Sequence, residues 1–389
     1  YTRYYCRVTV TGDAGDQGCG TTFFERGKGK TAWVGKFIST AEEDKFHPVF
    51  EKNFQVKSLT GAQEAVIRNG MSEKTASEKA ISEDSALGNA AVENEMGIQK
   101  ARLYVTGLGV YEAYINGKKA GEDILAPFCN DYREKIQYQT YDVTDHLLIG
   151  QENQISIYCG NGWYKGRLGY EGASQCYGTR FAAIVELHIW YEDGSETVVA
   201  TDETWTYRGS DIEMSDLYDG EVLNRQLWKE KENTAKPVRL IEKDQGTLMG
   251  EISLTSSQLT ERYSLPVKVK ETLTVQEIIH TQAGEIVLDM GQNMVGFVEF
   301  DSNLPAGTKV ILDFGEVLQQ GNFYNDNYRT AKARYEYISD GRREKVRPHF
   351  TFFGFRYVRV TGWPGEVEPS VFRGCVVYSD LETTTYFDS

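Results

Sequence analysis

The stretch "FAAIVELHIWYEDGSETVVATDETWTY", residues 181–207, constrains the fold more than any other. Apolar and polar residues alternate on both sides of "EDGS", and a period of two places successive side chains on opposite faces of a strand. Asp-Gly between two such runs is a hairpin signal, because glycine enters the left-handed region without a steric cost. The same pattern recurs along the chain. It is seen in "KARLYVTGLGVYEAYING", closed by the turn "INGKK", and in "KIQYQTYDVTDHL", "NQISIYCGNGWY" and "SDLYDGEVLN". It returns in "EIVLDMG", "MVGFVEFDS", "TKVILDFGEVL", "ARYEYISDG" and "KVRPHFTFFGFRYVRVTGWPG". No long helical period interrupts these runs. Strand and turn at this density predict an all-β protein of tandem β-sandwich or jelly-roll domains. The 24 tyrosines and 18 phenylalanines suit pleated sheets, and the 38 glycines suit their turns.

With 389 residues the chain has room for two or three cores. Residues 1–31 read as the end of one β-sandwich plus a linker, and 32–245 as a complete sandwich. Within the latter, residues 60–98 are rich in Ala, Glu, Ser and Lys and read as one or two short surface helices or a mobile polar insertion, the latter favoured because the apolar residues are too few to anchor a stable face. A second sandwich follows over 246–378. Residues 379–389, "SDLETTTYFDS", read as the start of a linker to a further domain. The first residues already lie inside a strand pattern, so they carry no targeting information.

A net charge of -15 argues against a nucleic-acid partner, which requires concentrated Lys and Arg. No apolar stretch approaches the length of a membrane span. The six cysteines lack zinc-type spacing, and those in "ISIYCG" and "RGCVVY" read as packed core thiols. His146, His188 and His349 are far apart in sequence, which disfavours a metal triad.

Four constellations hold candidate site residues. "APFCNDYRE" gathers Asn130, Asp131 and Tyr132 in a loop; its oxygens suit sugar hydroxyls or a hard cation, or else cap their own backbone as an Asx turn. "GNGWYKGRLGYEG" offers Trp163, Tyr164, Arg167 and Tyr170, either as a sugar-stacking set or as wedges of the sandwich core. "SDLYDGEVLNRQL" carries Asp216, Asp219 and Glu221. Residues 219 and 221 would share a strand face about 6–7 Å apart, as acid–base partners or as an inter-domain hydrogen-bond site. "DMGQNMVGFVEF" sets Gln292 and Asn293 between glycines, a ligand loop or a bulge in the strand.

Taken together and in order, "ARLYVTGLGVYEAYINGKKAGEDILAPFCNDYREKIQYQTYDVTD", "GNGWYKGRLGY" and "SDLYDGE" resemble the N-terminal module of the bacterial α-L-rhamnosidases, the family 78 glycoside hydrolases. "LDMGQNMVGFVEF", "PAGTKVILDFGEVLQQGNFY" and "FTFFGFRYVRVTGWPG" are similar to the lectin-like sandwich that precedes the family's catalytic (α/α)6 barrel. The resemblance covers roughly residues 32–380 apart from the insertion, and residues 1–31 resemble the end of a fibronectin-type sandwich. It implies accessory domains of an inverting hydrolase of terminal α-L-rhamnose, with no catalytic residue and no required cofactor in this stretch. It also implies a rhamnose-containing carbohydrate as ligand and the barrel of the same polypeptide as partner. Asn130 and Asp131 would then border a calcium ion, and Gln292, Asn293 and Arg356 would face the barrel. Cys129 departs from the family pattern beside the Asn-Asp pair.

Overall fold

The computed structural model describes residues 3–25, 27–29, 31–41, 46–57, 97–168, 172–228 and 234–387. The polar segment expected at 60–98 lies outside the described residues up to 96; Ile98 already opens a strand. Tyr170 also lies outside them.

The chain begins with a two-stranded ribbon, Arg3–Thr11 paired antiparallel with Gln17–Glu25. Every residue of the second strand is exposed. The ribbon is tied to the body by Glu25, whose carboxylate takes two hydrogen bonds from Arg102. The following link is anchored by Lys28. Its buried ammonium pairs with Glu186 and lies 5.1 Å from the Trp33 ring centre.

Two sheets form the first sandwich. One runs, in spatial order, Arg239–Leu240, Ile38–Ser39, Ala182–Tyr191, Ile98–Gly107, Ile136–Asp142 and Leu259–Glu261, with Glu196–Ala200 added to Ala182–Tyr191. The other runs Lys236–Pro237, Thr206–Gly209, Pro48–Gln55, Glu152–Gly160, Val110–Ile115 and Lys118–Lys119. Leu103, Val105, Val185 and Leu187 from the first meet Phe50, Ala113, Ile155 and Ile157 from the second in one apolar core. The turns expected from sequence close as hairpins. Tyr191 N–H reaches Ser195 O across "EDGS" with Gly194 at φ 80°. "INGKK" joins Val110–Ile115 to Lys118–Lys119 with Asn116 and Gly117 both at positive φ, the geometry a right-twisted hairpin requires.

The second sandwich is built on a ten-stranded sheet whose central strand, Ile286–Ser302, pairs with Phe353–Thr361 and Phe372–Ser379. Its register breaks between Asp289 and Met294. The "GQN" run is therefore a bulge, and Gln292 and Asn293 stand exposed on it.

Across the expected boundary between residues 245 and 246 the two sheets exchange strands. "SDLYDGEVLN" forms the hairpin Ile212–Asp216/Gly220–Asn224, and its second strand pairs in parallel with Arg334–Ile338 of the second sandwich. The chain then returns. Lys243–Gly246 pairs with Gly250–Ser253, and Ile252 and Leu254 pack beside Tyr132, Tyr164 and Tyr177 of the first sandwich. Leu259–Glu261 joins Ile136–Tyr138 in parallel. Alternation marks a strand but not its partner, so a strand lent to the neighbouring unit looks like one that stays. Cys159 and Cys375 are buried thiols, as expected.

Candidate functional site

The exchange of strands creates a seam, and the groups along it fall into a buried lock and an open cleft. The lock centres on Glu112, in the strand Val110–Ile115, whose side chain is 2% exposed. Arg347 binds it at 2.8 Å, His349 Nδ1 at 2.8 Å and Lys119 at 3.0 Å, and the Tyr114 hydroxyl donates at 2.6 Å. Arg347 and His349 belong to the second sandwich, so this carboxylate joins the two units. Burial pushes Glu112 up, but Arg347, Lys119 and His349 together hold it well below the usual carboxylate range. Glu221, fully buried, receives the backbone N–H groups of His349 at 3.0 Å and of Phe350 at 2.7 Å. Here burial dominates and raises the carboxyl above its ordinary value. The Phe350 ring seats on Gly160, where an added Cβ would lie 2.4 Å from Phe350 Cγ.

The open cleft, about 340 Å³, lies where the single turn of helix Gly162–Lys165 meets the strand Ile212–Asp216. The first sandwich contributes His47, Asn161, Lys165, Ser174, Gln175 and Phe181, and the lent strand contributes Glu213 and Asp216. Asn161 starts the helical turn and binds across the seam: its side-chain N–H donates to Ser215 O at 2.8 Å and its backbone N–H to Ser215 Oγ at 3.2 Å. His47 Nε2 lies 2.7 Å from the same Ser215 hydroxyl. Asp216 fixes the next turn by accepting from the N–H groups of Arg167 (2.8 Å), Tyr218 (2.9 Å) and Asp219 (3.1 Å). The Lys165 ammonium stands 3.9 Å from the centre of the Phe181 ring. Donors, acceptors and an aromatic face thus converge in a small concavity of the size that holds compact polar ligands.

The residues expected from sequence distribute unevenly. Tyr132 and Tyr164 are fully buried and packed edge-to-face at 4.9 Å, and the Tyr164 hydroxyl donates to Asp244 at 3.0 Å. Neither ring is open to a ligand: Tyr164 takes the core place that was one of its two readings, and Tyr132, expected beside Asn130 and Asp131 in a sugar-binding loop, is packed in the same core. Trp163 is half-buried against the second core, 5.1 Å from Phe128, as a wedge between the units. Arg167 reaches across the seam to Asp219 at 2.6 Å and to Thr330 O and Oγ1 at 3.1 and 2.7 Å. Its guanidinium clamps the units instead of offering itself to hydroxyls. Asp219 and Glu221 do not share a site: one sits in this surface clamp, the other in the buried lock. Arg356 forms a two-point ion pair with Asp289 at 2.8 and 2.9 Å, and its hydrogen bonds hold Asp289 below the ordinary range. Asn293 donates to Glu316 at 3.2 Å.

Asn130 and Asp131 do not fit a calcium ion. Asn130 is buried, and its Oδ1 accepts from Gln137 N at 3.2 Å and Nε2 at 3.1 Å. Both oxygens of Asp131 are held by Arg133, at 2.9 and 2.7 Å, and Arg133 N–H closes the Asx turn at 3.2 Å. A cation would have to displace a guanidinium of its own sign. Among the described residues, no three His, Cys, Asp or Glu side chains gather as a metal site. The difference in melting temperature between calcium and chelator is therefore expected to be the same in wild type and Asp131→Ala, measured by differential scanning fluorimetry. A calcium-dependent rise that Asp131→Ala abolishes would restore the cation at this loop.

Sequence reasoning missed the lock. Its one signal is Glu112 itself, a carboxylate inside the apolar run "VYEAYI". Lys165 and Glu213 carry no local signal. Among the described residues, no helix is long and apolar enough to cross a membrane.

Fold and seam define a class: an all-β protein of two sandwiches, the second concanavalin-like, that share strands and a polar cleft. Residues 96–271 match the family profile of the alpha-L-rhamnosidase N-terminal domain, and 279–378 that of the bacterial alpha-L-rhamnosidase concanavalin-like domain. An alpha-L-rhamnosidase of Streptomyces avermitilis is 36% identical over 294 residues, 75% of this chain and 28% of that protein. The crystal structure of native alpha-L-rhamnosidase from Aspergillus terreus superposes with TM-score 0.82 at 26% identity, over 99% of this chain and 41% of that one. The Streptomyces avermitilis alpha-L-rhamnosidase complexed with L-rhamnose gives 0.69 at 27% identity, over 97% of this chain and 35% of that one. The chain belongs to the bacterial alpha-L-rhamnosidase family and carries its N-terminal and concanavalin-like domains. It spans well under half the length of these relatives.

Proposed function

We propose that this chain is the non-catalytic, carbohydrate-binding portion of an α-L-rhamnosidase that removes terminal α-L-rhamnose from glycosides with inversion. The observation that carries the reading is the seam cleft, a neutral-ligand-sized concavity with Lys165, Glu213 and the Phe181 ring in its wall. A related enzyme crystallised with L-rhamnose supports the ligand class. The sandwiches brace the catalytic domain of the same polypeptide, and the exposed bulge at Gln292 and Asn293 with Arg356 beside it is the joint proposed for it.

Calorimetric titration with L-rhamnose tests the binding. Glu213→Gln or Lys165→Ala removes a charged hydrogen-bonding group, and affinity should fall about ten- to a hundredfold. Absence of heat in the wild type would remove the carbohydrate-binding part. Turnover of an aryl α-L-rhamnoside by the chain alone would overturn its non-catalytic part.

A further inference from the structure

Two arginines stand together on the first sandwich without a carboxylate of their own. Arg239 opens the edge strand Arg239–Leu240 and lies opposite Ser39, which on its other side lies opposite Ala182. Arg180 comes two residues before Ala182, so both arginines lie at one end of the sheet. Both are half-buried. Arg180 Nη1 and Arg239 Nε are buried with no hydrogen-bond partner, and among the described residues neither guanidinium makes an ion pair. The carboxylate beside them, Asp244, is committed elsewhere. Its Oδ2 accepts from the Tyr164 hydroxyl at 3.0 Å and from the N–H groups of Thr179 and Arg180 at 2.9 and 3.0 Å. Its Oδ1 accepts from the Gln245 N–H at 2.8 Å and the Thr179 hydroxyl at 3.2 Å. Burial lowers the Arg239 guanidinium from its ordinary value, and the positive charge of Arg180 lowers it further, together outweighing Asp244.

This is out of character for the chain. Its acidic residues outnumber the basic ones by 57 to 42, and Arg102, Arg208, Arg225, Arg347 and Arg359 each hold a carboxylate. Neighbouring guanidinium groups with unmet donors repel one another and carry an uncompensated desolvation cost. An oxyanion between them removes both penalties, and the guanidinium fork matches the paired oxygens of a carboxylate or a sulfate. The pair also adjoins the seam cleft. Phe181, the residue after Arg180, lines that cleft, and its carbonyl accepts from Ser39 Oγ at 2.8 Å. We infer that Arg180 and Arg239 form an anion site for an acidic sugar, holding the carboxylate of a uronic acid or a sulfate ester on the glycan bound at the seam. The inference rests on the carbohydrate-binding reading and adds a charged residue to the glycan.

The test is calorimetric titration of the whole chain at low salt with D-galacturonate, D-glucose 6-sulfate, D-galactose, acetate, inorganic sulfate and L-rhamnose. At least one acidic sugar should bind wild type about tenfold or more tightly than D-galactose, and the one that does identifies the anionic group. Its affinity should fall as sodium chloride is added. Arg180→Gln and Arg239→Gln should each raise its dissociation constant about tenfold or more, and the double variant should abolish binding. The urea midpoint of Arg239→Gln should stay level or rise, because the substitution relieves a repulsion; a structural arginine would lower it. The site is overturned if neither acidic sugar binds, if binding ignores both arginines, or if the Arg239→Gln midpoint falls. Acetate or inorganic sulfate binding as tightly as the acidic sugars also overturns it, since the pair would then hold a bare ion only. If L-rhamnose gives no heat while an acidic sugar binds through both arginines, the seam reading falls and the anion site stands.

Discussion

Glu112→Ala is expected to destabilise the protein by about 3–5 kcal/mol, the cost of breaking a buried ion pair from one side. The substitution leaves Arg347 and Lys119 facing one another with no carboxylate between them, and it removes the partner of His349. Urea unfolding at neutral pH measures the loss as a lower midpoint. A change under 1 kcal/mol would mean that water replaces the carboxylate and that the seam is looser than its geometry. The apolar double variant Glu112→Leu/Arg347→Leu should recover part of the loss, since well-packed apolar residues often substitute for a buried pair.

The two buried carboxylates of the lock respond to pH in opposite directions. Glu112 is depressed, so its contribution is present above the ordinary carboxylate pKa and disappears as pH falls through its lower folded value. Glu221 is raised by burial, so its contribution is complete below the ordinary value and disappears as pH rises through its folded one. Glu221→Gln should therefore remove the loss of stability that sets in as pH rises above the ordinary carboxylate pKa, and leave in place the loss on acidification that comes from Glu112. Unfolding midpoints across the range from acid to weakly alkaline pH separate the two.

Gly220→Ala should cost more than about 4 kcal/mol, in the range that marks a named structural failure. Gly220 sits at φ 110°, and a Cβ there would lie 1.7 Å from the carbonyl oxygen of Arg334 and 2.7 Å from its carbonyl carbon. Both are backbone atoms of the parallel partner strand, so no rotamer relieves the overlap. The strand Gly220–Asn224 must move off Arg334–Ile338 and take Glu221 out of the lock with it. Gly194→Ala is the control. Its φ is also positive, at 80°, but nothing lies within 4 Å, so only the left-handed penalty of about 1–2 kcal/mol applies. Equal losses in the two variants would refute the argument from close approach.

Much of the fold was legible because its signals are local. The alternating runs became strands, "EDGS" and "INGKK" became tight hairpins, and "GQN" interrupted its strand as a bulge. The wedge reading of Trp163 came from the same level, where a large ring among glycines finds its place by packing. The site was less legible. For Tyr132 and Tyr164 the sequence left core and ligand uses open, because aromatic side chains serve cores and sugars alike, and only burial separates the two. Asp131 looked like a cation ligand until Arg133, two residues on, was found holding both of its oxygens.

The sequence by itself determined the all-β class, the positions of the strands and the family, since each follows from patterns a few residues long or from their order. Only the tertiary structure decided which sandwich owns "SDLYDGEVLN", and hence where the seam, the lock and the cleft lie. Arg347 meets Glu112 across 235 positions of chain, and Phe350 meets Glu221 across 129. Contacts so distant in sequence depend on which strand edges pair, and a strand's own residues leave that choice open until the whole sheet closes.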